Sequence, residues 1–179
     1  TLILKALIGY FIALDPSPIL VVQPTIEMGE TFSKDRLAPM IRDTPALVGK
    51  VRDAKSRDSG NTILKKHFPG GHLTIAGANS AASLSSRPIR VLLCDEVDRY
   101  PPSAGTEGDP VNLARKRTAT YRARKKVALV STPTLKGHSR IERAWLQSDQ
   151  RRYFVPCPHC GHRHVLEWAN VLVNEADLA

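Results

Sequence analysis

The sequence predicts an α/β domain, a mainly parallel sheet held between two helical layers. Three observations carry that expectation. The short runs 19–22, 91–94 and 127–130 are continuously apolar without alternation, the pattern of strands buried on both faces of a parallel sheet. Stretches of helical pattern separate them, and strands alternating with helices build a three-layer sheet with right-handed crossovers. Two of the runs end in polar residues, Asp95-Glu96 after one and Ser131-Thr132-Pro133 after the other. In open α/β sheets the carboxyl edge of the strands is where ligands bind.

Each element has a local reason. Residues 2–14 read as a helix that Leu2, Ile3, Leu4, Leu7, Ile8, Phe11 and Ile12 leave with almost no polar face, so it is expected to be buried all round. Asp15-Pro16-Ser17-Pro18 ends it, because proline cannot continue a helix and biases its predecessor toward extended geometry. A second helical stretch runs from Thr25 to about Arg42, with Ile26, Phe32, Leu37, Met40 and Ile41 inward and Pro39 as a kink or division. Residues 49–61 are polar and read as mobile surface. Two short strands, 62–68 and 73–76, are expected to join through a Pro69-Gly70-Gly71 turn. Residues 77–86 read as a loop or short helix that feeds the Val91 strand. Asp109-Pro110 has the form of an N-cap with proline in the first helical position, opening a basic helix over 111–123. Ser139 and Glu142 have capping-box spacing, which places a helix over 140–147. A last short strand, 153–155, leads into Cys157. The division expected is a main domain over 1–150 and a small appendage over 151–179.

Composition bounds the function. Hydrophobic residues make up 42% and charged residues 24% of the chain, the balance of an ordinary globular protein rather than a disordered one. The apolar first fourteen residues are too short to span a bilayer and include Lys5, so no membrane role is expected. The chain does not begin with Met and reads as part of a longer protein. The net charge of +9 points to a polyanionic partner, and its location is informative. Residues 114–126 hold Arg115, Lys116, Arg117, Arg122, Arg124, Lys125 and Lys126 and no acid, so without these seven the net charge falls to +2. Such a run can be a solvated face; one so one-sided is expected to contact the phosphate backbone of nucleic acid.

The acidic pair carries the chemistry. At the end of a buried strand, Asp95 is placed to hold Mg²⁺ through its water shell, and Glu96 to orient and deprotonate an attacking water, as nucleoside triphosphate chemistry requires. A strand followed by an acidic turn would also give these residues. Ser131 or Thr132, on a neighbouring strand end, could hydrogen-bond the γ-phosphate or that water, or merely cap the next turn. No phosphate-binding G-x-x-x-x-G-K-[ST] loop occurs in the chain, yet Thr1 stands directly before an apolar helix, where the last residue of such a loop belongs. Cys157-Pro-His-Cys160-Gly has zinc-knuckle spacing. Tetrahedral closure needs two further ligands, from His159, His162 and His164 or from residues after Ala179; Cys157, Cys160, His162 and His164 form the candidate set. Three cysteines and no secretory signal fit a reducing compartment, with Cys94 as core.

Taken together, GYFIALDPSPILVVQPT, SKDRLAPMIRDTPAL, VLLCDEVDRYP, ARKRTATYRARKKVALVSTPT and VPCPHCGHRHVLEW, in this order, resemble the large terminase subunit of lambda-like tailed phages, a DNA-packaging motor. The resemblance implies a P-loop-like ATPase of the additional-strand catalytic-glutamate class. It would use ATP and Mg²⁺, with Asp95 on the metal, Glu96 as base, Ser131 to Pro133 as coupling segment and Thr1 closing the phosphate loop. It further implies double-stranded DNA as substrate, a small terminase subunit and a portal as partners, an oligomer only in the assembled motor, and the host bacterial cytoplasm as location. Lacking a loop lysine, this chain alone is expected to bind ATP weakly without turnover. Two other readings stand beside it. Asp-Glu-Val-Asp at 95–98 also resembles a helicase motif, and a zinc and basic-helix module could bind nucleic acid without catalysis.

Overall fold

In the computed structural model, which describes residues 1–51 and 60–170, a five-stranded sheet has the order β2-β3-β1-β4-β5. Its strands are β1 (Pro18–Gln23), β2 (Lys65–Phe68), β3 (Gly71–Gly77), β4 (Val91–Asp95) and β5 (Lys126–Val130). Strands β3, β1, β4 and β5 are parallel, and only β2 runs antiparallel, as the return arm of a hairpin on β3. The expected three layers are present. One sheet face packs Ile19, Val21, Leu73, Ile75, Val91 and Leu93 against helix α1 (Leu2–Ala13) and the segment from Phe32 to Leu37. The other packs Leu20, Val22, Leu92 and Cys94 against helices α4 (Ala81–Ser85) and α5 (Pro110–Lys116). Burying β4 completely, every residue of it, is what makes a polar residue at its end conspicuous.

Four expectations change in the structure. Helix α1 is apolar all round but buries one side only: Leu4, Ile8, Phe11 and Ile12 face the sheet, while Leu2, Ile3, Tyr10 and Leu14 are exposed. Composition could not distinguish the two sides. Helix α2 (Ile26–Thr31) and helix α3 (Ala38–Asp43) are joined by a π-helical turn over Phe32–Leu37, in which the Ala38 amide bonds back five residues to the Ser33 carbonyl. Pro39 removes one amide from the ladder, and the wider turn just before it keeps the helix continuous rather than divided. Strand β5 lies at the sheet edge and is half-buried rather than fully buried, because its far side has no strand neighbour among the described residues. The basic helix expected over 111–123 stops at Lys116; a 3₁₀ segment over Ala119–Arg124 follows, broken where Arg122 has φ 41°.

The helix starts at Asp109 and Ser139 follow their predicted caps, and Thr25 caps a third. Thr25 accepts from the Met28 amide, Asp109 from the Asn112 amide, and Ser139 from the Glu142 amide to open α6 (Arg140–Leu146). The capping box is only half made, since the Glu142 carboxylate turns to the Gly137 amide at 2.6 Å. The turn between β2 and β3 is the expected Pro-Gly-Gly. Gly71 is required there: a Cβ on it would lie 2.6 Å from the Ser17 carbonyl oxygen. Strands β6 (Phe154–Pro156) and β7 (Arg163–Val165) form a separate antiparallel hairpin bearing the cysteine pair. Of the polar stretch 49–61, residues 52–59 lie outside the described part, as do 171–179 of the expected appendage. No described helix is long and apolar enough to cross a membrane.

Candidate functional site

Parallel strands bring their carboxyl ends to one edge. Register alignment sets Val22 of β1 beside Cys94 of β4, so the next residues, Gln23 and Asp95, emerge side by side. The Gln23 side-chain amide donates to Asp95 Oδ2 at 3.2 Å. Asp95 is 4% exposed, and its Oδ1 is buried without a hydrogen-bond partner. An unsatisfied buried carboxylate oxygen costs about 1–3 kcal/mol and more when charged, so Oδ1 is left to be satisfied by a partner from outside the chain. Gln23 was not among the sequence candidates. The signal was available, as the one polar residue ending an otherwise apolar strand.

Asp95 opens into a cleft of about 560 Å³ whose walls include Thr1, Gln23, Glu27, Thr31, Asp35 and Arg36. Thr1 is exposed and precedes α1 without making a side-chain capping bond, so its hydroxyl is uncommitted. The residue before the opening helix and the last of the central strand therefore line one cavity. Helix α2 is held against the same edge by Gly77, where a Cβ would come within 2.9 Å of the Ile26 amide nitrogen.

Glu96 is placed differently. It has φ 53° and ψ 49°, the left-handed conformation that a non-glycine residue adopts at a cost of about 1–2 kcal/mol. The bend swings the chain from β4 into a 3₁₀ turn, Val97–Arg99, and the Glu96 carboxylate pairs with Arg99 at 3.4 Å, outside the walls of the Thr1 cleft. Strained backbone directly after a buried strand is typical of a residue positioned for function.

The loop beyond Glu96 is tied to the end of β5. The Asp98 amide donates to Ser131 Oγ at 3.2 Å. The Asp98 carboxylate accepts from the Thr134 amide (3.0 Å) and hydroxyl (3.2 Å) and from the Ile141 amide (2.9 Å) at the start of α6. Burial raises the Asp98 carboxyl, but hydrogen bonds from Ser139, the Ile141 and Thr134 amides and the Thr134 hydroxyl outweigh it and hold the group below the usual carboxylate range. Arg140 completes the tie, donating to the carbonyls of Val97 (3.2 Å), Tyr100 (2.8 Å) and Pro101 (2.7 Å) and to Asp109 (3.1 Å). The Tyr100 hydroxyl donates to the Val22 carbonyl at 2.7 Å, pinning the same loop to β1. Ser131 is thus joined to the acidic loop, whereas Thr132 is exposed and contributes its carbonyl, which accepts from Ser131. Neither Asp98 nor Arg140 was a sequence candidate; their roles depend on distant partners.

Among the basic residues, Arg115, Lys116, Arg122, Arg124, Lys125 and Lys126 are exposed. Arg117 is not: its guanidinium donates to the Ser85 carbonyl at 3.1 Å and its Nε is buried, so it holds α5 to α4 instead of facing a partner. The candidate zinc set is also corrected. Cys157 and Cys160 are held in one turn, with Cys157 accepting bonds from the Cys160 and His159 amides that lower its thiol. His162 and His164 do not join them: His164 lies in β7, its Nδ1 3.5 Å from the His162 carbonyl oxygen. No group of three His, Cys, Asp or Glu that could hold a metal occurs among the described residues. The thiol pair alone does not fit a zinc site.

The architecture is a mostly parallel α/β sheet with a buried carboxylate and a helix start meeting in one cleft at its carboxyl edge. Over residues 1–179 the chain matches the family model of the phage terminase large subunit gpA, ATPase domain, and it belongs to that family. It is 32% identical over 171 residues to the terminase large subunit of Enterobacteria phage P21 and 30% identical over 171 residues to that of Escherichia phage lambda, in both cases over 93% of this chain. The chain spans about a quarter, 26%, of the length of these relatives. Its fold is similar to the large terminase ATPase domain of Thermus phage P74-26, with a TM-score of 0.55 at 11% identity, covering 91% of this chain and 66% of that one; a mutant of that domain gives 0.54.

Proposed function

We propose that this chain forms the nucleotide-hydrolysing core of a DNA-packaging motor, coupling ATP hydrolysis to movement of double-stranded DNA into a procapsid. The observation that carries the reading is the cleft that Thr1 shares with Asp95, a residue whose Oδ1 is buried and unpaired. When ATP is bound, Mg²⁺ would supply positive charge against the negative charge that develops on the transferred phosphate. Thr1 and Asp95 would hold that ion, Thr1 as the last residue of a phosphate loop and Asp95 through water. Gln23 orients Asp95 by its hydrogen bond. Glu96 acts as base on the attacking water once its side chain leaves Arg99, a rotation that the exposed side of the ion pair permits. Ser131, bonded to the amide two residues beyond Glu96, reports the state of the site to α6 through Asp98.

The exposed cations Arg115, Lys116, Arg122, Arg124, Lys125 and Lys126 form the surface offered to the DNA backbone. The small terminase subunit and the portal, partners of the assembled motor in the infected host cytoplasm, belong to the same reading, with residues 1–150 as the motor core and 151–179 as an appendage. Zinc is not part of it.

The test is turnover by the intact protein. Glu96→Gln should lower ATP hydrolysis about 10²–10⁴-fold, the usual worth of a general base, while DNA affinity is kept. Asp95→Asn should abolish the Mg²⁺ dependence of nucleotide binding. Undiminished hydrolysis in the Glu96 variant would sink the assignment.

A further inference from the structure

The edge of the sheet opposite the Asp95 cleft carries a second feature. A cavity of about 170 Å³ opens beside the first residues of β3 and the segment entering β4, and Lys65, His72, Thr74, Ser83, Ser86 and Arg87 stand in its walls. At ~30 Å³ per water, this is room for about five waters or one oxyanion with part of its hydration. Its charged groups are of one sign. Those acting on the His72 ring are His67 and Lys65 from β2 and Arg87 from the loop before β4, all basic, and the His67 ring centroid is 6.2 Å away. Neither Lys65 nor Arg87 has an ion-pair partner among the described residues. Basic groups gathered around a concavity with hydroxyls in its wall form a site for a phosphate oxyanion.

Its position identifies the source of that phosphate. Pro18 pairs with His72, Ile19 with Val91, and Val91 with Lys126, so His72 and Lys126 stand on the same rim of the sheet, three ladder steps apart. At 4.7–4.9 Å per step the rim is about 14 Å long, roughly four base-pair rises of duplex DNA. The basic segment also returns to the cavity, since the Ile89 amide in its wall donates to the Arg117 carbonyl. Arg90, between the two, is neutralised by Asp15 at 2.6 Å and adds nothing.

We infer that the Lys65, His72 and Arg87 cavity binds a backbone phosphate of duplex DNA and extends the track begun by Arg124, Lys125 and Lys126 along the amino rim of the sheet. The inference rests on the proposed DNA role of the basic segment. Burial and its basic neighbours lower the His72 ring below the usual imidazole range, and a bound phosphate favours its protonated form, so affinity at this site rises as the pH falls from 7.5 to 6.

The experiment uses the full chain with a 20-base-pair duplex, binding being measured against salt at both pH values. Arg87 is exposed, so Arg87→Ala leaves the fold intact; it should reduce the slope of log affinity against log salt by about 0.9. His72→Gln should remove the added affinity at pH 6 and leave that at pH 7.5. In parallel, inorganic phosphate is titrated while the His72 ring resonance is followed by NMR. Phosphate should raise the His72 midpoint in the wild type and not in Arg87→Ala. Unchanged salt slopes overturn the inference; a phosphate response accompanied by unchanged slopes means a free-anion site and overturns the DNA assignment. Lys125→Ala with Lys126→Ala separates the two readings. Loss of affinity there with no effect at Arg87 refutes only the cavity, whereas no loss there refutes the basic segment.

Discussion

The backbone amide of Asp98 donates a hydrogen bond to the hydroxyl oxygen of Ser131 across 3.2 Å, joining the loop that follows β4 to the end of β5. The Asp98 carboxylate meanwhile serves Thr134 and the first turn of α6. One residue thus gathers three segments that the sequence separates. Ser131→Ala leaves the half-buried Asp98 amide unpaired and should cost about 1 kcal/mol in urea unfolding.

Acid sensitivity should follow from Asp98. Its carboxyl is held below the usual value of 3.8 in the folded chain. A depressed carboxylate contributes stability that is complete above its unfolded value and is lost as pH falls through the lower folded one. Melting temperatures of the wild type should therefore fall below about pH 4 more steeply than those of Asp98→Asn, which starts less stable. Parallel curves for the two proteins between pH 5 and 2.5 would count against this.

Arg140→Ala should be among the more damaging substitutions away from the cleft. It strips three carbonyls and the Asp109 carboxylate of a donor whose side chain is 21% exposed. Charge-assisted bonds to partly buried groups are worth about 1.5–3 kcal/mol, so a loss of roughly 2–4 kcal/mol is expected from chemical denaturation. Arg140→Lys, with no planar fork, should recover less than half of it.

Glu96 should show opposed effects on stability and function. In the left-handed region glycine carries no Cβ penalty. Glu96→Gly should thus be more stable than Glu96→Ala by about 1 kcal/mol, although both remove the carboxylate and both should lack turnover in the intact protein. Equal stability of the two variants would mean the backbone is relaxed at this position in solution.

The three thiols should separate by reactivity. Burial pushes the Cys94 thiol up to about 12, whereas amides of the Cys157 turn lower that of Cys157. Alkylation with iodoacetamide at pH 7.5, followed by peptide mass analysis, should modify Cys157 first and Cys94 only on unfolding.

What could be read from the chain alone divides along the range of the interactions. Buried strands, helix caps at Asp109 and Ser139, and the Pro-Gly-Gly turn rest on neighbours within a few residues, and these were legible. That Thr1 and Asp95 would lie at the same edge was legible too, because helix start and strand end are fixed by the α/β layout. Asp98 and Arg140 were missed since each acts on a residue more than thirty positions away, whereas Gln23 was overlooked although its place at the end of an apolar strand marked it. The half-exposed β5 and the one-sided burial of α1 were missed for another reason: an apolar run states what it can bury, not what is present to cover it. Arg117 looked like its neighbours and was taken inward by Ser85, a distinction that only packing makes.

Strand β5 begins at Lys126, on the basic rim, and runs straight to Val130, beside Ser131. Five residues at about 3.3 Å each make a strut of roughly 16 Å that can neither shorten nor stretch without breaking its ladder to β4. In the proposed motor, a load on Lys126 would reach Ser131 along this strand and its ladder to β4, with no flexible loop in between.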